Sequence, residues 1–582
     1  MTMTRSAPRN DPEPEPDDAQ PAPYATKGRL DRIVGLVIVG LVTLAAALLW
    51  LAVAANGPDT SISESHDAVV GVWSVLYNSD APEMNVILSA IALALLAGAG
   101  LALVERRIAT KARRSMNPGH QPLAPKVVMS ANRGAFAGEV TVTVLIPAHN
   151  EEASLPQTIA SLKSQSHRPE RIIVVADNCT DATVRLAREA GVEVIESVDN
   201  THKKAGALNQ ALKTVLPQQG DNDVVMIMDA DTQLDDGFLA NALVRFVDDR
   251  ALMAVGGLFY GEDGHGLIGQ FQRNEYIRYS RQMRRRRGRV FVLTGTASLF
   301  RPLALRTIAA SRGRTLPGTP GDVYDTAALT EDNELTIAIK SLGGLMISPQ
   351  DCTVVTELMP SWRTLWNQRL RWQRGALENI GAYGVTAPTM RYWAQQLGIG
   401  YGVIALSAYL ALILITVVSL ETWIWFPFWL GLGLLFTLER IITVWKGGWK
   451  ARLLAATLFP ELFFDMFLNL VYVKGVVDLS FGRKASWTHL THAAPAPALE
   501  SQEAQAMFST SVGPIVPTGI LLPETVLHSG LFAVLAAFVA INTVIYASLA
   551  LANVLPKIYP SDWVTNRNRR TETRSIYPET RD

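Results

Sequence analysis

The sequence predicts an α/β domain, with a mostly parallel sheet and helices on both faces, inserted between transmembrane α-helices. Three observations predict it. Uncharged apolar runs at 33–55, 84–104, 397–420 and 529–555 are each long enough to cross about 30 Å of hydrocarbon as a helix. Between the second and third of these, from Val140 onward, short apolar runs alternate with amphipathic segments. The unusual polar clusters of that region each follow an apolar run, at the carboxyl end where an open α/β sheet binds ligands.

Strands are expected at 141–148, 171–177, 192–197, 223–231 and 251–259, each Val/Ile-rich or apolar throughout, as strands buried on both faces are. Between them LPQTIASLKSQ, TDATVRLAREA, KKAGALNQALKTV and DDGFLANALVRFV carry helical periodicity. Residues 1–26 hold six prolines and five carboxylates with almost nothing to bury, the composition of a disordered tail. The expected organisation is then two transmembrane helices within 27–104, a basic connector (105–139), the α/β domain with interfacial helices (140–392), a membrane hairpin followed by an interfacial or re-entrant helix (393–478), a linker (479–525), a further transmembrane helix (526–556) and a polar tail (557–582). Spans 397–420 and 423–445 are separated only by Glu421 and Thr422. The run 453–478 is interrupted by Glu461, Asp465, Lys474 and Asp478, which favours the interface over a crossing. Arg567, Arg569 and Arg570 favour the opposite, since a cytoplasmic C-terminus requires 453–478 to cross.

Orientation follows from local charge. Lys27, Arg29 and Arg32 precede the first span, Arg106, Arg107, Lys111, Arg113 and Arg114 follow the second, and the loop 56–83 has no Lys or Arg. By the positive-inside rule the chain is a multi-pass cell-membrane protein with its N-terminus and α/β domain in the cytoplasm. Ala52-Val53-Ala54 imitates a signal-peptidase site, but the apolar run before it is too long for a cleaved leader. The formal charge of zero names no partner, and no nucleic acid is expected. The two cysteines, Cys179 and Cys352, fall in the cytoplasmic part and are expected as reduced apolar fillers, with no disulfide or structural zinc.

The chemistry concentrates in a few stretches. "MDADTQLDD" (228–236) places Asp229 and Asp231 two apart on an extended segment, so both carboxylates point to one face. Beside a diphosphate they would complete the coordination of Mg2+ or Mn2+; the alternative is a turn plus helix cap, which is the expectation for Asp235 and Asp236. A calcium loop is excluded because Leu234 and Ala240 stand where it needs Gly and Glu. His149, Asn150, Glu151 and Glu152 follow the first strand, and Asp177, Asn178 and Asp181 the second. Lys204 opens a helix, whose N–H groups and dipole favour phosphate. "GTASLFR" (295–301) is expected as a small-residue turn after a strand at Val290–Leu293. In "TEDNEL" (330–335) Thr330 is a plausible cap with Glu331 and Asp332 in the first turn. In "QRLRWQRG" (368–375) Gln368, Arg371 and Trp372 share one helix face, suited to sugar hydroxyls, a phosphate and the apolar face of a pyranose; an interfacial helix is the competing account. The basic segment 278–290 is assigned to anionic lipid headgroups in preference to an anionic acceptor.

Asp177, the Asp229/Asp231 pair, Asp332 of Thr-Glu-Asp and Gln368-x-x-Arg371-Trp372, in this order over about residues 140–380, resemble the membrane-embedded family 2 glycosyltransferases, the group of cellulose, chitin and hyaluronan synthases. Ala176 departs from the pattern, standing where many relatives carry the first of two aspartates. The resemblance implies a GT-A fold, a uridine-diphosphate sugar donor and a glycan or lipid acceptor. It implies donor contacts at Asp177, Lys204, Asp229 and Asp231, a divalent metal near Asp231 and Asp229, and Asp332 as general base. It also implies acceptor and diphosphate contacts at Gln368, Arg369, Arg371 and Trp372, and inversion of a UDP-sugar into a β-linked product, extended processively and exported. Transfer of one sugar to a membrane lipid is the alternative; a catalytically dead scaffold or a transporter is disfavoured by the retained aspartates and by spans nearly free of charge.

Overall fold

The computed structural model describes residues 115–131, 140–286, 288–419, 423–425, 427–483, 522–527 and 529–554, with two short strands and isolated helical positions between residues 36 and 114. The expected tail 1–26, most of the spans within 27–104, the linker from 484 to 521 and the polar tail 557–582 lie outside the described residues.

Two strands, β1 (Ala68–Val70) and β2 (Trp73–Val75), come first, then helix α1 (Pro125–Ala131). The domain proper runs β3 (Val142–Ala148), α2 (Leu155–Lys163), β4 (Arg171–Ala176), α3 (Thr183–Glu189), β5 (Glu193–Glu196), α4 (Lys203–Val215), β6 (Val224–Met228), β7 (Thr232–Leu234), α5 (Phe238–Asp248), β8 (Leu252–Gly256), β9 (Leu258–Gly261), α6 (Gly266–Arg285), β10 (Ala297–Phe300), α7 (Pro302–Ser311), α8 (Glu331–Ser341), β11 (Leu345–Ile347) and β12 (Thr353–Thr356). After it come α9 (Trp362–Tyr383), α10 (Met390–Ser419), β13 (Trp423–Trp425), α11 (Pro427–Thr443), α12 (Gly448–Ala456), α13 (Phe459–Ser480) and α14 (Gly530–Val554).

Alternate residues of β3 serve two different cores, which makes the sheet a central layer. Val142, Val144, Ile146 and Ala148 pack with α2 and α5 through Leu155, Ile159, Phe238, Leu239 and Phe246. Leu145 faces the other way, with Leu208, Leu212, Leu305, Leu335 and Ile339 of α4, α7 and α8. Helices thus cover both faces, as a buried parallel sheet requires. The strand order is β11-β8-β10-β6-β3-β4-β5. Neighbours among β3 to β6 are parallel, β11 is parallel to β8, and β10 is antiparallel to both β6 and β8. The mostly parallel GT-A-type layer is therefore present, with one reversed strand inside it.

Several boundaries differ from expectation for local reasons. The run 223–231 ends as sheet at Met228, and the run 251–259 is broken at Gly257, so that β9 leaves the main sheet and joins a second one in the order β7-β12-β9. A Cβ on Gly257 would stand 3.1 Å from the Phe238 ring and 3.2 Å from the Ala297 carbonyl oxygen, so the break needs glycine. Val290–Leu293 is not a strand; β10 lies inside the small-residue stretch, at Ala297–Phe300, while the Leu293 N–H donates to Thr336 Oγ1 at 2.9 Å. Thr330 is the N-cap residue of α8 as expected, but its Oγ1 accepts from Asn379 at 3.2 Å instead of making a cap bond; at α5 the N-cap is Gly237, and Asp235 accepts from the Thr353 hydroxyl. The described part of the basic connector docks on the domain, with Leu123 and Val128 in the α4/α7/α8 core.

On the membrane side, α10 and the Gly530–Leu551 part of α14 are long and apolar enough to cross a bilayer. They touch through Tyr401 Oη, which donates to Asn542 Oδ1 at 3.0 Å. The expected hairpin is modified: residues 423–425 are strand, and β13 pairs with β2, so that α11 has 17 residues. The stretch expected at the interface is two helical pieces, Trp445–Ala456 and Phe459–Ser480, bent by 91°. Glu461, at the start of the second, is buried and accepts from Asn274 at 3.0 Å, Arg278 at 2.5 Å and Arg440 at 3.1 Å. Arg281 donates to the Ile442 carbonyl at 3.3 Å. Arg278 and Arg281 of the basic segment therefore serve contacts within the protein, which corrects their assignment to lipid headgroups.

A second buried pair braces α8. Arg312, with its side chain fully buried, donates to both carboxylate oxygens of Glu334 at 2.5 and 2.7 Å and to the carbonyls of Pro317 and Val323. Removing one partner of such a pair strands the other charge, at a cost of about 3–5 kcal/mol. Arg312→Leu is expected to lower the melting temperature sharply, and Arg312→Leu with Glu334→Leu to recover part of the loss, since the Pro317 and Val323 carbonyls and the Tyr383 hydroxyl still lose their partners, as checked by thermal unfolding of the purified protein.

Candidate active site

Asp177, at the carboxyl end of β4, anchors the first part of the site. Its Oδ1 accepts from Asn178 at 3.0 Å, Ser197 at 2.7 Å and Asn200 at 2.8 Å, and the His149 ring lies 2.5 Å from its carbonyl oxygen. Asn150, Asn178, Asp199 and Lys203 all have φ between 48° and 58°, so the loops around Asp177 turn at residues in the left-handed region. Asn200 also bonds the Lys203 carbonyl at 2.7 Å and the His202 N–H at 3.0 Å, closing the loop that leads into α4. Gly206 makes this possible: its Cβ would fall 2.1 Å from Asn200 Oδ1.

The second part forms where four segments meet. Lys204, in the first turn of α4, reaches Asp229 Oδ1 at 2.6 Å and Glu331 Oε1 at 2.8 Å. Asp332, in the first turn of α8, accepts from the Gly295 N–H at 3.2 Å and the Asn333 N–H at 2.7 Å. A Cβ on Gly295 would lie 3.5 Å from both Asp332 Oδ2 and Lys204 Nζ and 3.7 Å from Asp229 Oδ2, so glycine here gives open approach to all three. Burial raises the Asp332 carboxyl, Glu331 raises it further and Lys204 opposes; the result is about 6. Burial also raises Glu331, but Lys204 outweighs it and holds that carboxyl below its usual range, while the two acids hold the Lys204 ammonium well above its own.

Asp231 stands on the approach to β7. Burial, then Asp229, Glu151 and Glu357, push its carboxyl up to about 8. The ladder explains Glu357: Thr356 pairs with Thr232, so the next residue of β12 comes opposite Asp231. Like charges set opposite each other are destabilising, and the carboxylates around Asp231 are hard oxygen donors. Among the described residues no group of three or more His, Cys, Asp or Glu is placed to hold a metal ion by itself. Two carboxylates that a ligand's own oxygens would complete fit a divalent cation better than they fit isolation.

Helix α9 carries the remaining predicted residues. It starts at a capping box, Ser361 with Thr364, and its Gly375 lies against α8: a Cβ there would be 2.4 Å from Thr330 Oγ1. Asn379 donates to the Thr330 carbonyl and to Asn333 Oδ1, both at 3.2 Å. Gln368, Arg371 and Trp372 are half-buried, and Arg371 is in electrostatic reach of Lys203 and Glu331. Arg369 is a correction. It is buried, its Nη2 donates to Glu275 Oε2 at 2.8 Å and its guanidinium lies 4.2 Å from the Trp372 ring, so it is not displayed to a ligand beside Arg371.

Residues 143–308 match the family described as Glycosyl transferase family 2. They form a glycosyl transferase family 2 domain. The chain is 26% identical over 244 residues to poly-beta-1,6-N-acetyl-D-glucosamine synthase of Staphylococcus aureus, covering 41% of this chain and 55% of that one. It is 30% identical over 248 residues to the probable glycosyltransferase YdaM of Bacillus subtilis, covering 40% and 54%. The chain thus spans about half the length of the curated relatives it matches. Among solved structures, a mannosyltransferase of Pyrobaculum calidifontis in complex with GDP-Man and Mn2+ aligns with TM-score 0.41 at 16% identity, over 69% of this chain and 99% of that one.

The matched segment of the family 2 domain ends at residue 308, so Asp332 and the α9 residues lie beyond it. The structure brings Asp332 within electrostatic reach of Lys204 and Asp229, and Arg371 within reach of Lys203 and Glu331. Sequence reasoning missed Glu357, Glu275 and Tyr276, and took Glu331 for a helix-end acid. Only the β7–β12 register reveals Glu357, and only the packing of α6 on α9 reveals the other two. Tyr324, also missed, is buried within electrostatic reach of Lys204, Glu331, Asp332 and Asp229; its backbone is tied to α4 by Asn209.

Lys204→Met leaves Asp229 and Glu331 facing each other without their cation. The lowered Glu331 carboxyl gives stability that is present above its unfolded pKa and lost as pH falls through the folded one. The variant is therefore expected to melt several degrees below wild type at pH 8, with the gap narrowing only as pH falls below the ordinary carboxylate range, as measured by parallel thermal melts.

Proposed function

We propose that the protein is an inverting membrane glycosyltransferase that uses a nucleotide sugar, of the uridine-diphosphate class, to extend a β-linked polysaccharide. The observation that carries this reading is the Asp332 carboxylate, held by the Gly295 N–H beside the Lys204–Asp229 pair. A carboxyl at about 6 is ionised at neutral pH yet basic enough to take a proton from an acceptor hydroxyl as that oxygen attacks the anomeric carbon. One base and one displacement invert the donor's configuration, and no carboxylate nucleophile is needed. Lys204 exchanges a carboxylate for the departing diphosphate, with Arg371 adding a second positive charge. Asp229 and Asp231 would hold a divalent cation, Mg2+ or Mn2+, which neutralises charge on the leaving group. Asp177 and its three donors suit recognition of the nucleotide, and Gln368 and Trp372 an acceptor sugar.

A polymeric product is favoured by the similarity to a polysaccharide synthase and by the helices that adjoin the domain. In this reading the chain is multi-pass, its family 2 domain faces the cytoplasm on the positive-inside rule, and the product is exported. A screen of nucleotide sugars with Mn2+ or Mg2+, read as release of nucleoside diphosphate, is expected to give one preferred donor. No release from any donor overturns the reading. Product length then separates a polymer from one sugar on a lipid.

Turnover is expected to rise with pH through about 6, because Asp332 must be ionised, and to level above it. Asp332→Asn is expected to lower turnover at least a thousandfold while nucleotide binding, followed by calorimetry, stays within a few-fold of wild type.

A further inference from the structure

The Arg369 guanidinium is an expensive way to fill space. It is 5% exposed, and its Nε and Nη1 are buried without a hydrogen-bond partner among the described residues. Glu275, the acid that pairs with it, keeps 35% of its side chain exposed, so the pair is neither fully desolvated nor fully bonded. Well-packed apolar residues would serve stability at least as well. A buried cation with two donor nitrogens unused, beyond its interactions with Glu275 and the Tyr276 hydroxyl, calls for a reason beyond packing.

The rings around it supply one. The guanidinium carbon lies 4.2 Å from the Trp372 ring centre and 5.6 Å from that of Tyr276. Tyr276 is in turn held edge-on by Phe259 of β9, with ring centres 4.6 Å apart. The line Glu275–Arg369–Trp372 therefore crosses from α6 to α9. A planar cation pinned at one nitrogen by a carboxylate sets the plane of the indole that stacks on it, which a flexible apolar side chain would not do.

We infer that Glu275 and Arg369 are positioning residues: together they fix the indole of Trp372, and so set how tightly an acceptor carbohydrate is held beside Asp332. This rests on the proposed function for the identity of the acceptor. It goes beyond it in assigning Arg369 to Trp372 and bringing Glu275 of α6 into the acceptor site.

Two measurements test it. With the preferred donor saturating and a short β-linked oligosaccharide of the same sugar as varied acceptor, Glu275→Gln is expected to raise acceptor KM about tenfold while kcat falls less than threefold. Arg369→Met is expected to raise it more, and Arg369→Lys, which keeps a cation without the planar fork, to fall between. An acceptor KM unchanged in Glu275→Gln, or a loss confined to kcat, overturns the inference; Glu275 is exposed enough for this variant to fold even if Arg369→Met does not. Independently of any turnover, protein labelled with 5-fluorotryptophan has its Trp372 fluorine resonance assigned by Trp372→Phe. That resonance is expected to shift or broaden in Glu275→Gln, and an unmoved line overturns the inference. Absence of turnover on all donors, with the resonance moved, would sink the functional reading while leaving the positioning pair intact.

Discussion

Everything at this site depends on one ammonium group placed among carboxylates. Asp229, Glu331 and Asp332 arrive from a strand end and a helix start far apart in the chain, and without Lys204 their charges would drive β6 and α8 apart. The cation lies in the first turn of α4, and α4 is itself held by Asn209, which accepts the Val323 and Tyr324 N–H groups at 3.1 and 2.9 Å. That loop is in turn fastened by Arg312 to Glu334, one turn along α8 from Glu331. The ion pair at the surface of the pocket and the one beneath it thus close a loop of contacts through α4, the 312–329 segment and α8. Charge balance at the site and order in the fold are in this way the same set of contacts.

The helices beyond the domain extend that framework. Glycine at 375 lets α9 lie directly on the N-terminus of α8, and Asn379 bonds both Thr330 and Asn333. At its other end α9 is gripped by aromatic rings: Trp362 packs against Phe271, Phe464 and Phe467, with Phe271 and Phe464 stacked 4.9 Å apart. The same α13 that supplies Phe464 carries Glu461, which binds Arg278 of α6 and Arg440 of α11. Helices α6 and α9 are therefore both tied to the bent α12–α13 pair.

Much of this was legible in the sequence because the signals were local. Five apolar runs located five of the main-sheet strands, and Asp177, Asp229 and Asp231 fall just past the carboxyl ends of two of them. What the sequence concealed depends on register and contact. The reversed strand β10 hides among small residues with no alternation, whereas Val290–Leu293 has strand composition but is an irregular link. Glu357 comes opposite Asp231 through the β7–β12 ladder, and no spacing within its own segment signals that. Arg369 was open to a better reading: at about 100° per residue it stands about 160° from Arg371 but only about 60° from Trp372, so helix geometry pairs it with the indole and turns it away from Arg371. Composition alone did not show that the basic face of α6 is partly consumed by Glu461.

The contact at Gly375 has a further consequence. Since the bare backbone at Gly375 meets the Thr330 side chain directly, and Asn379 and Tyr383 bond Thr330, Asn333 and Glu334 across the same seam, the spacing between Asp332 and Trp372 behaves as a ruler with little slack: a larger residue at 375 or a shorter one at 379 would shift it. The opposite wall, α6, is different, being set by long side chains, Glu275, Tyr276 and Arg278, whose lengths and tilts can vary. Diversity among proteins sharing this layout would therefore accumulate on α6, leaving the α8–α9 seam as the invariant gauge of the pocket.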